Sequence, residues 1–459
     1  MTGKALSPAF IGAYVPGTGS LSNGMLLQSS PGVPLGFAKQ PGTLVMPRFG
    51  LAYDLTGDGK TALRAGGGVF YLTEDDGVNF GLKTVWGQQP GILTANVYNQ
   101  NISNFVTGSG YTFPTAIGGL SLSTRPVFYN YDFGIQRDLG HSLLLDMKYV
   151  GALGRHLIGA VNVNELPLGA YFAHPDPTLP NSPCSAAAGS ISGCLLNNLI
   201  RPYPGYGDIS IMTDGVSSNY NALQSTLNRR YAHGLQFGVT YTYSKSMDYS
   251  SSTRAAGATA TPTYLPANRN YGPSDFDQRQ VMTVNWQYDI PGFKSGNKMV
   301  SGITRNWQYS GVASFSDGVP LTITPILLAN TLGGGDSQRV NFSCNPNYSR
   351  SGRSVTNYFN TSCIQYPGAT YGNEGRNIIN GPGRNNFDMA LFRNFNVGNE
   401  RRVLTFRYET YNTFNHLQLN TIDTSPRYSP AGAQINPTFG QALTAYPARQ
   451  MQLSLRLRF

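Results

Sequence analysis

Apolar and polar residues alternate one by one along many stretches of this chain. At the C-terminal end Met451, Leu453, Leu455, Leu457 and Phe459 take one parity, and Gln450, Gln452, Ser454, Arg456 and Arg458 the other. Successive side chains of a strand point to opposite faces, so this stretch predicts a β-strand with one apolar and one polar face. The alternation recurs at Val127–Gln136, Leu235–Ser244, Met282–Ile290 and Leu404–Glu409. Similar strands are predicted at Phe49–Leu55, Leu63–Leu72, Leu143–Tyr149, Tyr220–Tyr231, Trp307–Phe315 and Phe387–Val397, which brings the count to eleven. Many are long enough to cross a bilayer at a tilt. Fainter patterns at Phe80–Trp86, Ile209–Thr213 and Leu321–Pro325 read as extensions within loops.

The connections alternate between short and long. Thr56–Lys60, Asp138–Ser142, Ala232–Gly234, Pro291–Lys298 and Gly398–Arg401 are brief and mostly rich in turn residues. Those near 73–125, 159–218, 247–275, 318–384 and 417–447 are long. This asymmetry belongs to outer-membrane barrels, whose periplasmic turns are short and whose outside loops are long. The expected fold is therefore all-β: an antiparallel transmembrane β-barrel with long extracellular loops, over 46–459. Residues 1–45 read as an irregular N-terminal segment or loop remnant. A single-chain bacterial barrel takes an even number of strands, so a count of eleven means either that further strands lie hidden in the loops or that the barrel is partial, the C-terminal strands of a larger one.

Composition supports this picture. Charged residues make up 12% of the chain, about half of what soluble domains carry. Mean hydropathy is −0.24 and no apolar run reaches the length of a membrane helix, which leaves strands as the only way to span. The net charge of +10 raises the question of nucleic acid, but the arginines are scattered singly without a basic run, so no nucleic-acid partner is expected. A positively lined lumen or contact with anionic lipid headgroups fits better.

Few residues suggest chemistry. Gly57-Asp58-Gly59-Lys60-Thr61 looks like a phosphate loop, but Asp54 stands where its first glycine belongs and a strand follows, so it reads as a hairpin turn. The five histidines are isolated and no G-x-S-x-G elbow occurs, so no enzyme activity, metal or cofactor is expected. Cys184 with Cys194, and Cys344 with Cys363, lie in polar loops and read as local disulfides of an oxidising compartment. The polar and aromatic stretches 275–279, 372–377 and 381–385 supply Asp277, Arg279, Arg376 and Arg384. With Arg407 and Glu409 these are candidate lumen or rim contacts for a ligand. The alternative is that they order the loop bases at the barrel rim.

Several of these stretches together resemble a known family. Ser218-Asn219-Tyr220-Asn221-Ala222-Leu223-Gln224, Tyr241-Thr242-Tyr243-Ser244-Lys245-Ser246, Phe276-Asp277-Gln278-Arg279, Gly381-Pro382-Gly383-Arg384, Arg407-Tyr408-Glu409 and Asn412-Thr413-Phe414-Asn415-His416 follow in the order and spacing of TonB-dependent outer-membrane receptors, specifically the Oar-like branch. The resemblance runs from about residue 46 to the end. It implies a 22-stranded barrel filled by an N-terminal plug, with a carboxypeptidase-regulatory-like domain ahead of it. It also implies uptake driven by a TonB-type energy-coupling protein that grips an N-terminal box. No plug, box or export signal is seen here, so the chain is expected to be the C-terminal portion of a larger receptor.

The expected function is the outer-membrane barrel domain of a receptor that imports a bulky ligand: an oligosaccharide, peptide or metal chelate. The terminal strand, Met451 to Phe459, is the candidate barrel-insertion strand, with outer-membrane lipid and the barrel-assembly machinery as its partners. Two alternatives stay open, a passive porin-like channel and a soluble secreted β-sandwich adhesin. A sandwich also alternates apolar and polar faces, but it buries the apolar side between two sheets.

Overall fold

A computed structural model describes residues 42–72, 116–121, 125–162, 164–166, 169–173, 200–202, 209–251, 261–262, 267–292, 304–327, 338–396 and 402–459. All eleven predicted strands are present: β1 Arg48–Asp54, β2 Thr61–Tyr71, β3 Val127–Gly140, β4 Leu143–Asn162, β5 Ile209–Ala232, β6 Leu235–Asp248, β7 Gln280–Ile290, β8 Trp307–Ser316, β9 Arg384–Asn396, β10 Val403–Tyr411 and β11 Gln450–Arg458. They form one meander in which each strand pairs antiparallel with the next. Among the described residues β1 and β11 do not pair with each other, so the sheet is open.

The register carries one apolar face across the whole sheet. Leu51 lies opposite Ala65, Ala65 opposite Phe133, Phe133 opposite Tyr149, Tyr149 opposite Leu223 and Leu223 opposite Tyr243. At the far end Leu391 lies opposite Tyr408, and Tyr408 opposite Leu453. Directly opposed residues share a face, so a slip of one position anywhere would break the series. This face is uncovered: Leu51, Phe133 and Leu455 are 61%, 58% and 64% exposed. No second sheet lies over it among the described residues, and the sandwich alternative fails.

Two of the wall strands are longer than their alternation predicts. β4 has 20 residues and β5 has 24, and their upper halves pair as far as Asn162 with Ser210. The register shifts between Gly154 and Leu157 and again before Gly159, which breaks the period-two pattern just where the strands continue. The faint Ile209–Thr213 pattern is therefore the start of β5. The Leu321–Pro325 pattern yields only the pair Pro320–Leu321 against Ile379–Asn380, and Phe80–Trp86 lies outside the described residues. The turn between β1 and β2 is the expected hairpin: Gly57 and Gly59 take φ of 72° and 73°, a region open to glycine. The Asp54 carboxylate accepts the Gly57 and Gly59 amides at 3.1 and 2.8 Å.

The hydrophobic core lies in the loops. The connections after β8 and β10 fold together through short ladders, including Ile326–Leu327 parallel to Arg427–Tyr428 and Leu419–Ile422 against Ala442–Ala445. Ile323, Val340, Phe359, Ile379 and Tyr428 are buried at its centre, and Phe359 packs edge-on against Phe439 at 5.4 Å. The predicted Cys344–Cys363 disulfide closes one flank, with Cα atoms 5.0 Å apart. Cys184 and Cys194 lie outside the described residues. We refer to this unit as the cap.

Candidate functional site

All long connections leave the sheet at the end that a barrel turns to the cell exterior. Four of the predicted site residues gather at that rim. Asp277 is a structural post: its side chain is 5% exposed, Oδ1 accepts the Ser246 amide at 2.7 Å, and Oδ2 accepts Arg279 Nε at 3.1 Å. It pins the loop before β7 to the top of β6.

Arg376 does the same for the cap. Its guanidinium pairs with the buried Asp248 carboxylate and donates to Asp275 Oδ1 and Ser251 Oγ, each at 2.8 Å. The neighbouring Asn377 Nδ2 donates to Pro273 O and Asp275 Oδ1, each at 2.7 Å. A half-buried guanidinium that satisfies carboxylates from β6 and the β6–β7 connection fixes the cap to the sheet.

Arg279 and Arg384 front a cavity of about 990 Å³ between the cap and the upper ends of β6–β8. Sequence reasoning missed the other two arginines at this cavity, Arg350 and Arg353. They sit in a cap loop with no alternation to mark them; their spacing within Tyr348–Arg353 is the only signal. Arg350 Nη2 contacts Asp317 Oδ1 at 2.6 Å and Arg353 Nη1 donates to the Tyr358 hydroxyl at 2.9 Å. The Arg384 guanidinium lies 5.4 Å from the Tyr446 ring centre. From the wall, Tyr241, Tyr243, Gln280 and Met282 line the cavity, whereas the intervening Thr242 and Val281 do not. Arg279, Ser316 and Arg384 also line it, and their register sets them on the polar parity, so the cavity straddles the rim and only its lower wall belongs to the apolar face.

Arg407 and Glu409 are elsewhere. They pair at 2.7 Å on the polar face of β10, and Glu409 joins Asn285, Gln287 and Asp388 around a hollow of about 310 Å³. The insertion-strand residues Met451, Leu453, Leu455, Leu457 and Phe459 are all exposed on the apolar face, Phe459 at 93%.

The cap core holds one ionisable group that needs explanation. Glu374 is 1% exposed; Oε1 accepts the Ile323 amide at 2.8 Å, while Oε2 has no hydrogen-bond partner among the described residues. Burial pushes its carboxyl up to about 7, against the pull of the Ile323 amide and the nearby Arg339. Burial, with the Glu374 charge beside it, pushes the Tyr428 hydroxyl up to about 12.

An uncovered apolar face, a polar face behind it and loops anchored at one rim define an outer-membrane β-barrel protein. A family profile described as "Outer membrane beta barrel domain" matches residues 6–452, and the chain belongs to that family. A search of curated proteins finds no match. Among solved structures, the outer membrane transporter YddB from Escherichia coli is similar at 10% identity and a TM-score of 0.45, over 90% of this chain and 40% of that one. The siderophore receptor PiuA from Acinetobacter baumannii gives 12% identity, a TM-score of 0.36 and coverages of 89% and 35%. The ferripyoverdine receptor of Pseudomonas aeruginosa gives 11%, 0.37, 90% and 33%. The chain spans 40% or less of the length of these three structures.

Proposed function

We propose that this chain is the C-terminal barrel portion of a TonB-dependent receptor of the Oar-like branch, which takes up a bulky ligand such as an oligosaccharide, peptide or metal chelate. The observation that carries the reading is the cap, a folded extracellular unit bolted by Arg376 to the rim of a sheet with a continuous polar face. A bare diffusion pore has no need of such a unit, whereas a receptor uses one to meet its ligand before passage. The open sheet, whose antiparallel path holds eleven strands, supports a larger parent barrel, with further strands and a plug that the energy-coupling protein would pull. The reading assigns transport to the chain, with no catalysis.

Whole-cell uptake from the gene's complete reading frame tests it. Candidate ligands are offered to cells with and without a protonophore. Uptake that stops when the proton gradient collapses is expected. Uptake that persists, together with steady conductance of the purified protein in planar bilayers, would replace the proposal with a passive channel.

A further inference from the structure

The cavity beneath the cap lies at the rim, takes its lower wall from the apolar side of the sheet, and is two-layered in its chemistry. We propose that it holds the phosphorylated head of an outer-leaflet glycolipid, with phosphate oxygens on the arginines and an acyl chain along the apolar wall below.

Parity is the first support. Tyr241, Tyr243, Met282 and Phe315 belong to the apolar face, so the lower wall of the cavity is continuous with the lipid-facing surface. The position is the extracellular end of those strands, where the headgroups of the outer leaflet lie. Aromatic residues with a polar tip suit that depth.

Charge is the second. Arg279, Arg350, Arg353 and Arg384 stand against only two carboxylates in the lining, Asp277 and Asp317. Asp277 is already occupied by the Ser246 amide and Arg279 Nε, and Asp317 by Arg350. A guanidinium carries five N–H donors. Arg279 uses Nε on Asp277, Arg350 uses one Nη2 contact, and the Arg384 guanidinium makes no hydrogen bond among the described residues and stacks on Tyr446. Forked donors therefore remain for an anion, and phosphate is the group whose geometry they match. A water-soluble anion would account for the arginines but not for the apolar wall. A neutral lipid would account for the wall but not for the arginines. An anionic amphiphile accounts for both.

Protein purified from outer membranes in mild detergent, then exchanged into phosphatidylcholine nanodiscs with added bis-phosphorylated lipid A, allows the test by native mass spectrometry. Wild type should retain lipid A, and removal of both phosphates from the lipid should weaken retention roughly tenfold or more. Arg350→Glu with Arg353→Glu should weaken it as much. Arg384→Gln provides a second variant, because it touches no ion pair of the cap, and should weaken it severalfold. An intact Cys344–Cys363 bond checks the fold of each variant. Equal retention by wild type and Arg384→Gln, or by phosphorylated and dephosphorylated lipid, overturns the proposal. Displacement of lipid A by equimolar inorganic pyrophosphate would also overturn it, in favour of a free-anion site.

Discussion

Replacing Glu374 by Gln keeps the side-chain shape and the oxygen that accepts the Ile323 amide, and removes only the charge. In the folded cap the carboxyl holds its proton up to about pH 7, whereas in the unfolded segment it lets go near the ordinary 4.5. Because the folded value is raised, its contribution is fully present below 4.5 and is lost as the pH climbs toward 7. At about 1.4 kcal/mol per pH unit, the whole gap is worth about 3 kcal/mol. Most of this falls between pH 5 and 8, which corresponds to roughly a hundredfold in the opening equilibrium of the cap. Tyr428, pushed up to about 12, stays neutral throughout and adds nothing. Amide hydrogen exchange at Ile323, Val340 and Ile379, corrected for intrinsic rates, reads that equilibrium directly. Wild-type protection should fall by about two orders of magnitude from pH 5 to pH 8, and that of Glu374→Gln should stay level. A flat wild-type profile, or a variant that keeps the slope, would refute the reasoning.

Other perturbations give separate expectations. Leu455→Arg places a charge on the lipid-facing side near mid-strand and should cost ~2–4 kcal/mol for folding into bilayers; an unchanged urea midpoint would reject the facing assignment. Opening the Cys344–Cys363 loop with a double Ser replacement releases a sequence separation of 19 residues and should destabilise the cap by about 3 kcal/mol, seen as faster cleavage of the loops by added protease. Arg376→Met leaves the Asp248 carboxylate buried without its cation, and a loss of about 3–5 kcal/mol is expected in the same protease assay. If cleavage is instead unchanged, the cap is held by something other than this ion pair.

The wall was legible from sequence because each strand faces two different surroundings, and the alternation of Leu453, Leu455 and Leu457 with polar neighbours records both. Legibility ended at the register shifts of β4 and β5, where one displaced residue breaks the parity. The cap could not be read in this way. Ile326 and Leu327 find their partners at Arg427 and Tyr428, about a hundred residues away, through ladders two residues long that leave no periodic trace. Its core residues are spaced singly among Gly, Asn and Ser, so each looks like an ordinary loop residue. The stretch around Glu374 is distinctive in composition, but nothing local reveals that its carboxyl lies in a dry interior. Likewise Asp277 and Arg376 stand out in the sequence as charges in polar loop stretches, but only the fold shows what they fasten. Arg350 and Arg353, which front the arginine cavity, carry no local signal of it in the sequence beyond their spacing.

The greasy centre of this molecule sits in its loops, and that divides its loyalties between two solvents. Hydrocarbon holds the wall in place, and water drives the cap together. Stripping away the bilayer should therefore unsettle the sheet while sparing the headpiece, and a chaotrope in the medium should loosen the headpiece first.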